Sequence, residues 1–128
     1  PHDVDNRYSW TSPGDGDNTN PDGTVFTDFL DWPRNVDGYG SGYFVGSSAY
    51  TDWRLPTIDE LETILNFNDN YSPRIDPIFG PTAIPYYWSS SPSFTDISKA
   101  RVISFGYCRH SVSSKSTANH VRAVRGGR

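Results

Sequence analysis

The sequence lacks what disulfides, membrane spans and histidine metal sites each require. It has one cysteine, Cys108, so no disulfide can form within the chain. Its apolar runs are much shorter than the roughly 20 residues of a membrane-spanning helix, so we expect no membrane insertion. The three histidines, His2, His110 and His120, do not have the short spacing of metal ligands.

Acidic residues are missing from the end of the chain. None follows Asp96, although seven lysines and arginines do. Residues 1–64 hold twelve acids and three bases, a net charge of −9, whereas residues 65–128 hold three acids and eight bases, a net charge of +5. This asymmetry predicts either an anionic partner at the basic end or mutual neutralisation of the two halves. The negative total charge and the lack of a groove-reading helix argue against nucleic acid as that partner.

Large aromatic residues are plentiful and take over the role of a long aliphatic core. They make up 15% of the 128 residues, beside 11 glycines and 10 prolines. Each ring buries a large area, so few are needed, and the glycines and prolines predict many turns. We therefore interpret residues 1–128 as a single domain with long ordered loops.

The most strongly marked element is a helix that begins at residue 57. Thr57 and Glu60 have the spacing of a capping box, directly after Pro56. The nearby Arg54 fits either a ligand contact or a structural arginine that pairs with an acid such as Glu60, and the second is favoured. One apolar stripe is predicted along the helix by Ile58, Leu61, Ile64 and Leu65.

The remaining patterns predict an α+β fold, with helices first and an antiparallel sheet after them. A short helix is predicted over residues 24–31, with Thr24 as its cap and Val25, Phe26, Phe29 and Leu30 buried. Residues 7–10 are compatible with a short strand or an extended arm. Further strands are predicted over residues 86–90, 100–107 and 119–124, with a polar turn region over residues 108–116. Core anchors of the irregular segment 66–85 are predicted to be Ile75, Ile78 and Phe79.

Neither a catalytic nor a metal-binding pattern is strong. Cys108 has His110 and His120 nearby in sequence but no orienting acid, which favours an ordinary thiol. The candidate Ca²⁺ ligands are Asp15, Asp17, Asn18 and Asp22. That loop lacks the glycine and the closing glutamate of a helix–loop–helix calcium site, so Asx turns without a metal are favoured.

Four stretches resemble, in order and spacing, the Lcl C-terminal domain family, named after the Legionella collagen-like protein. They are Asp28-Phe-Leu, Tyr50-Thr-Asp-Trp-Arg-Leu-Pro-Thr57 with Glu60-Leu61, Tyr87-Trp-Ser-Ser-Ser91 and Val121-Arg-Ala-Val-Arg-Gly-Gly127. The resemblance covers nearly the whole chain from Asp5 on. Members of the family usually begin with a further strand, which we expect to be missing from residues 1–128.

The resemblance implies a C-type-lectin-like fold with a small twisted antiparallel sheet and two helices. It also implies a secreted or cell-surface adhesin domain that follows a collagen-like stalk, binds sulfated glycosaminoglycans and forms homotrimers. Related enzymes that generate formylglycine need paired cysteines, so no enzymatic activity is expected here.

A sulfated polysaccharide would meet a row of lysines and arginines without needing a deep pocket. We expect one exposed patch on neighbouring strands, made of Arg101, Arg109, His110, Lys115 and Arg122. The alternative is a protein–protein or oligomerisation module without glycan binding, with Tyr39, Tyr43 and Phe44 at its interface.

Overall fold

The computed structural model describes residues 5–12, 20–30, 53–67, 70 and 72–126. These residues form seven short strands in three small antiparallel sheets, with short helical segments between them. The strands are β1 (Tyr8–Ser9), β2 (Trp53–Arg54), β3 (Tyr86–Pro92), β4 (Lys99–Ser104), β5 (Arg109–Ser114), β6 (Ala118–Asn119) and β7 (Val124–Arg125). The helical segments are a π-helix (Val25–Leu30), α1 (Ile58–Thr63) and a 3₁₀ turn (Pro77–Phe79). The mixed architecture predicted from the sequence is confirmed, and the C-type-lectin-like topology stays a prediction.

The largest sheet has the order β3-β4-β5, and both of its faces are buried near the centre. Trp88 pairs with Val102, and Tyr87 pairs with Ile103. Because successive residues of a strand point to opposite faces, these two pairs lie on opposite sides of the sheet. Each pair belongs to a different cluster of buried side chains.

The first cluster packs the π-helix and β1 onto the Trp88 side of the sheet. Val25 is fully buried there, and Trp88 donates its indole N–H to the carbonyl of Tyr8 over 2.7 Å. Tyr8 and Trp10 are buried, and Tyr8–Ser9 form strand β1, which decides between the strand and the extended arm considered for residues 7–10. The cluster consists of Tyr8, Trp10, Val25, Phe29, Leu30, Leu55, Trp88, Ala100 and Val102.

The second cluster places α1 on the opposite side of the sheet. The apolar stripe of α1 packs there as predicted, with Ile58 and Leu61 buried and Ile64 partly buried. The N–H of Ile58 donates to Ser91 Oγ over 3.0 Å, which attaches the start of the helix to β3. The members of the cluster are Ile58, Leu61, Leu65, Ile75, Tyr87, Ile103 and Phe105.

The start of α1 is a complete capping box, and Arg54 is its structural partner. Thr57 accepts from the Glu60 N–H over 3.2 Å, while Glu60 accepts from the Thr57 N–H over 2.9 Å. Arg54 donates to the two carboxylate oxygens of Glu60 over 2.8 and 2.9 Å. Its Nε also donates to the carbonyl of Gly126 over 2.9 Å. Arg54 therefore joins α1 to the end of the chain, as the structural interpretation of this arginine required.

Several local predictions were wrong. The strand expected over residues 119–124 is two strands, since β6 ends at Asn119 and β7 begins at Val124. Residues 109–114 form strand β5 rather than a turn, and their polar sequence fits a strand at the edge of the sheet. Ile78 is 84% exposed, and Phe79 is also exposed, so neither anchors its segment, although Ile75 is buried. The Thr24 hydroxyl accepts from the Ser9 N–H instead of capping the following helix. In each case the observed structure differs from the local sequence pattern because a tertiary contact is present or absent at that position.

We predict that Glu60 makes the fold sensitive to acid. Hydrogen bonds from Arg54 and from the Thr57 backbone lower the pKa of Glu60 from 4.5 to about 2. A carboxylate with a lowered pKa stabilises the fold above its unfolded value, and this contribution is lost between pH 4.5 and about 2. In urea unfolding across that range, Glu60→Gln should show a smaller loss of stability with falling pH than the wild type. Asp59→Asn, on the same turn, is the control, and parallel pH curves for wild type and Glu60→Gln would contradict the prediction.

We predict that a side chain at Gly23 disrupts the contact between the π-helix and β1. Gly23 donates its N–H to the Trp10 carbonyl over 2.9 Å, and an added Cβ would lie 2.4 Å from the Ser9 carbonyl oxygen. Gly23→Ala should therefore lower the free energy of unfolding by about 1–3 kcal/mol, the cost of overpacking. Chemical denaturation measures this change, and an unaltered midpoint would contradict the close approach.

Candidate binding surface

Arg101 and Arg109 lie on opposite faces of the sheet. Arg101 pairs with Val112 across β4 and β5, whereas Arg109 pairs with Ser104. Cross-strand partners share a face, and β4 positions three residues apart do not. The expectation that the late cations gather on one exposed plane is therefore wrong for these two arginines.

His110 shares the Arg101 face and lies beside an acidic residue of α1. Its Nε2 is 3.7 Å from Glu62 Oε1, and both side chains are partly exposed. His110 pairs with Ile103 in the sheet, which places it next to the packed helix. The imidazole is thus engaged at the helix–sheet boundary.

Lys115 is buried rather than exposed, which corrects its expected position in a surface patch. Only 5% of the residue is accessible, and its Nζ is 4.3 Å from the centre of the Trp10 ring. Its carbonyl accepts from the N–H groups of Trp10 and Thr11 over 2.9 and 3.0 Å. Lys115 therefore serves as a core contact between β1 and the connection that follows β5.

Arg122 binds its own chain at several points. Its guanidinium donates to the carbonyl of Phe79 over 3.2 Å and also contacts the Thr82 hydroxyl. The guanidinium carbon lies 5.5 Å from the Tyr87 ring and 5.9 Å from the Phe105 ring. Burial lowers the pKa of Arg122. Arg122 thus fastens the segment around residues 79–82 to the sheet and has little capacity left for a ligand.

Arg109 is the exposed member of the predicted set, and two tyrosines position it. Its Nη2 donates to the Tyr86 hydroxyl over 3.3 Å, and its guanidinium carbon lies 6.0 Å from the Tyr107 ring. Tyr107 is 66% exposed. In the part of the chain that the structure describes, Arg109 forms no ion pair with a carboxylate. The hydrogen bond from Arg109 lowers the pKa of Tyr86.

Hydrogen bonds of the Ser104 hydroxyl hold the surroundings of Arg109 in place. Ser104 donates its hydroxyl to the carbonyl of Ile84 over 2.9 Å and accepts from the Tyr107 N–H over 3.1 Å. Ile84 fills the space above Gly106, where an added Cβ would lie 2.2 Å from the Ile84 Cγ2. We call the resulting patch of Ile84, Tyr86, Tyr107 and Arg109 the sheet-end surface. It presents one guanidinium, that of Arg109, beside the rings of Tyr86 and Tyr107.

Pairing between cations and rings extends through the C-terminal third. Arg101 lies 5.2 Å from the Phe94 ring, and Arg125 lies 5.7 Å from the Trp53 ring. Lys115, Arg109 and Arg122 also lie beside aromatic rings. Such cation–π contacts explain how a basic segment folds with few acidic residues of its own. The high aromatic content was a signal of such pairing, but spacing along the chain could not show which ring meets which cation.

The candidate Ca²⁺ ligands receive no support from the residues that are described. Both carboxylate oxygens of Asp22 accept from Ser12, one from its N–H over 2.8 Å and one from its hydroxyl over 3.1 Å. Asp15, Asp17 and Asn18 lie outside the described residues, as do Tyr39, Tyr43 and Phe44. Among the described residues, no three His, Cys, Asp or Glu side chains are grouped to hold a metal.

Cys108 is half-buried at the turn before β5 and packs against the second cluster. Its backbone adopts a φ of 54°, the left-handed region that the tight turn requires. Its thiol therefore has a packing role, and the absence of enzymatic activity stays a prediction.

The family model of the Lcl C-terminal domain matches residues 4–125. The chain belongs to this family. Membership indicates a surface module of the adhesin type in the context of a collagen-like protein. Neither the curated proteins nor the solved structures include a match to this Lcl C-terminal domain. Of the helices described here, none has the length and apolar character to cross a membrane.

We predict that removal of Arg109 raises the pKa of Tyr86. The hydrogen bond and the positive charge of Arg109 favour the phenolate form of Tyr86. Arg109→Ala should therefore shift the titration of Tyr86 to higher pH, which the ¹³Cζ chemical shift of labelled tyrosine reports. Arg7→Ala removes an equal charge at an exposed site and is the control. An unshifted Tyr86 titration in Arg109→Ala would show that the contact is not formed in solution.

Proposed function

We propose that this Lcl C-terminal domain is an extracellular adhesin-type module that binds sulfated glycans through the sheet-end surface. The observation that carries the proposal is the exposed guanidinium of Arg109, which Tyr86 and Tyr107 position and which forms no ion pair with a carboxylate of the described residues. Family membership supports the more general part of this function, that of a surface binding module.

The chemistry of the sheet-end surface suits a sulfated sugar. A guanidinium can donate two parallel hydrogen bonds to a sulfate, and Arg109 keeps donors available beyond the one directed to Tyr86. The exposed Tyr107 ring offers an apolar face to the C–H side of a sugar ring. A polysaccharide presents its sulfates along an open chain, so a shallow surface of this kind is sufficient.

The sheet-end surface is smaller than the expected patch of five cations. Lys115 and Arg122 are occupied within the fold, and His110 lies beside Glu62. Arg101 is on the other face. Among the five predicted contacts, Arg109 is therefore the one that we assign to the sheet-end surface.

The second candidate is a module for contacts between proteins, including a homotrimer. Several large apolar side chains favour it because they are exposed, among them Phe94, Ile97 and Val112. Sedimentation with and without a sulfated glycan separates the two candidates. Assembly that is independent of glycan, together with no glycan binding, would favour the protein-contact module.

We predict that Arg109→Ala weakens binding to heparin by about tenfold, the effect of losing one charge-assisted hydrogen bond of about 1.5 kcal/mol. The salt concentration for elution from a heparin column and the Kd from a titration measure this change. Tyr107→Ala should weaken binding in the same direction through loss of the ring.

Arg7→Ala is the matched control for this experiment. Arg7 is exposed and carries the same charge, but it packs against no aromatic ring of the described residues. Equal losses of heparin affinity in Arg7→Ala and Arg109→Ala would show that the effect comes from the change in net charge alone. Unchanged binding in Arg109→Ala would remove the sheet-end surface from the proposal.

A further inference from the structure

A second pair of a ring and an arginine, the exposed Phe94 and the half-buried Arg101, lies on the other side of the β3-β4-β5 sheet. The guanidinium carbon of Arg101 is 5.2 Å from the centre of the Phe94 ring, and Phe94 is 89% exposed. Ion pairs in the described part of the chain do not involve Arg101. As in the pair of Tyr107 and Arg109, a cation lies beside an accessible ring.

The loop that carries Phe94 is held by its own hydrogen bonds. Ser93 donates its N–H to the Lys99 carbonyl over 3.0 Å, and Lys99 donates its N–H to the Asp96 carbonyl over 3.1 Å. Asp96 accepts from the N–H and the hydroxyl of Ser98 over 3.0 and 2.6 Å. The loop is therefore preorganised to present Phe94, which lowers the entropy cost of binding.

The charge around Arg101 is compatible with an anion. Asp96 is the acid of the loop, and it is partly compensated by Lys99 at 3.8 Å. Glu62 of α1, the helix packed on this face, lies beside His110. Within the described residues, Arg101 thus has a ring as its partner, while Asp96 and Glu62 have partners of their own.

The two ring–arginine pairs cannot be reached along one straight path. Arg101 and Arg109 belong to opposite faces, and their rows on β4 are three residues apart, about 10 Å along the strand. Arg101 lies on β4, whereas Arg109 lies on the edge strand β5. A stiff polymer on one face would therefore leave the other pair free.

We propose that Phe94 and Arg101 form a second subsite for sulfated glycans, so that one domain holds two glycan segments on opposite faces of its sheet. This inference rests on the proposed function of the sheet-end surface. A domain with two such subsites would bridge two polysaccharide chains rather than follow one.

The number of short glycans bound per chain tests this proposal. Native mass spectrometry of the full chain with a heparin-derived tetrasaccharide should show two bound per chain at saturation. Arg101→Ala and Arg109→Ala should each retain one, and the double variant none. Counting per chain makes the result independent of any oligomeric state.

Because the Phe94 side chain is almost fully exposed, Phe94→Ala leaves the fold intact and should reduce the second occupancy several-fold.

Arg7→Ala, at an exposed site away from both subsites, is the charge control and should retain two glycans per chain. One glycan on the wild type, lost in Arg109→Ala and kept in Arg101→Ala, would overturn the second subsite and leave the proposed function intact. If Arg109→Ala and Arg101→Ala both bind as the wild type does, the proposed function falls together with this inference.

Discussion

The ion pair between Arg54 and Glu60 is the contact on which the arrangement of the sheet depends. Arg54 holds the Glu60 carboxylate of the capping box at the start of α1. It also donates to the carbonyl of Gly126. With the helix start held there and attached to Ser91, the apolar stripe of α1 covers one face of the central sheet. The π-helix and β1 cover the other face. Polar and charged side chains are consequently displaced to the sheet's edge strand, its loops and its ends.

This displacement explains the environment of the late cations. In the described residues, the ion pair of Arg54 with Glu60 lies within the first half and that of Lys99 with Asp96 lies within the second, while His110 lies beside Glu62 across the two halves. Arg101, Arg109 and Arg122 pack against aromatic rings instead. Contacts of this kind contribute about 0.5–2 kcal/mol each and leave exposed guanidinium groups able to donate to an anion. An excess of positive charge is thus compatible both with folding and with recognition.

Elements with a local cause could be predicted from their residues. The capping box at Thr57 and the buried stripe of α1 follow from spacing within one turn of helix, and the alternation around Val102 follows from strand geometry. Strand β5 was missed because an edge strand needs no apolar alternation. The five-cation patch failed because the face of a side chain depends on register, and burial depends on what packs above it.

Family membership, the helix start, the structural role of Arg54 and the uneven charge were already determined by the sequence, because each rests on residue identity and short-range spacing. Only the tertiary structure decided that Lys115 is buried on Trp10, that Arg122 is bound to its own chain, and that Arg101 and Arg109 face opposite ways. Those outcomes depend on contacts between residues far apart in the chain. Composition cannot specify such contacts, because the same cation can meet a ring, a carbonyl or solvent.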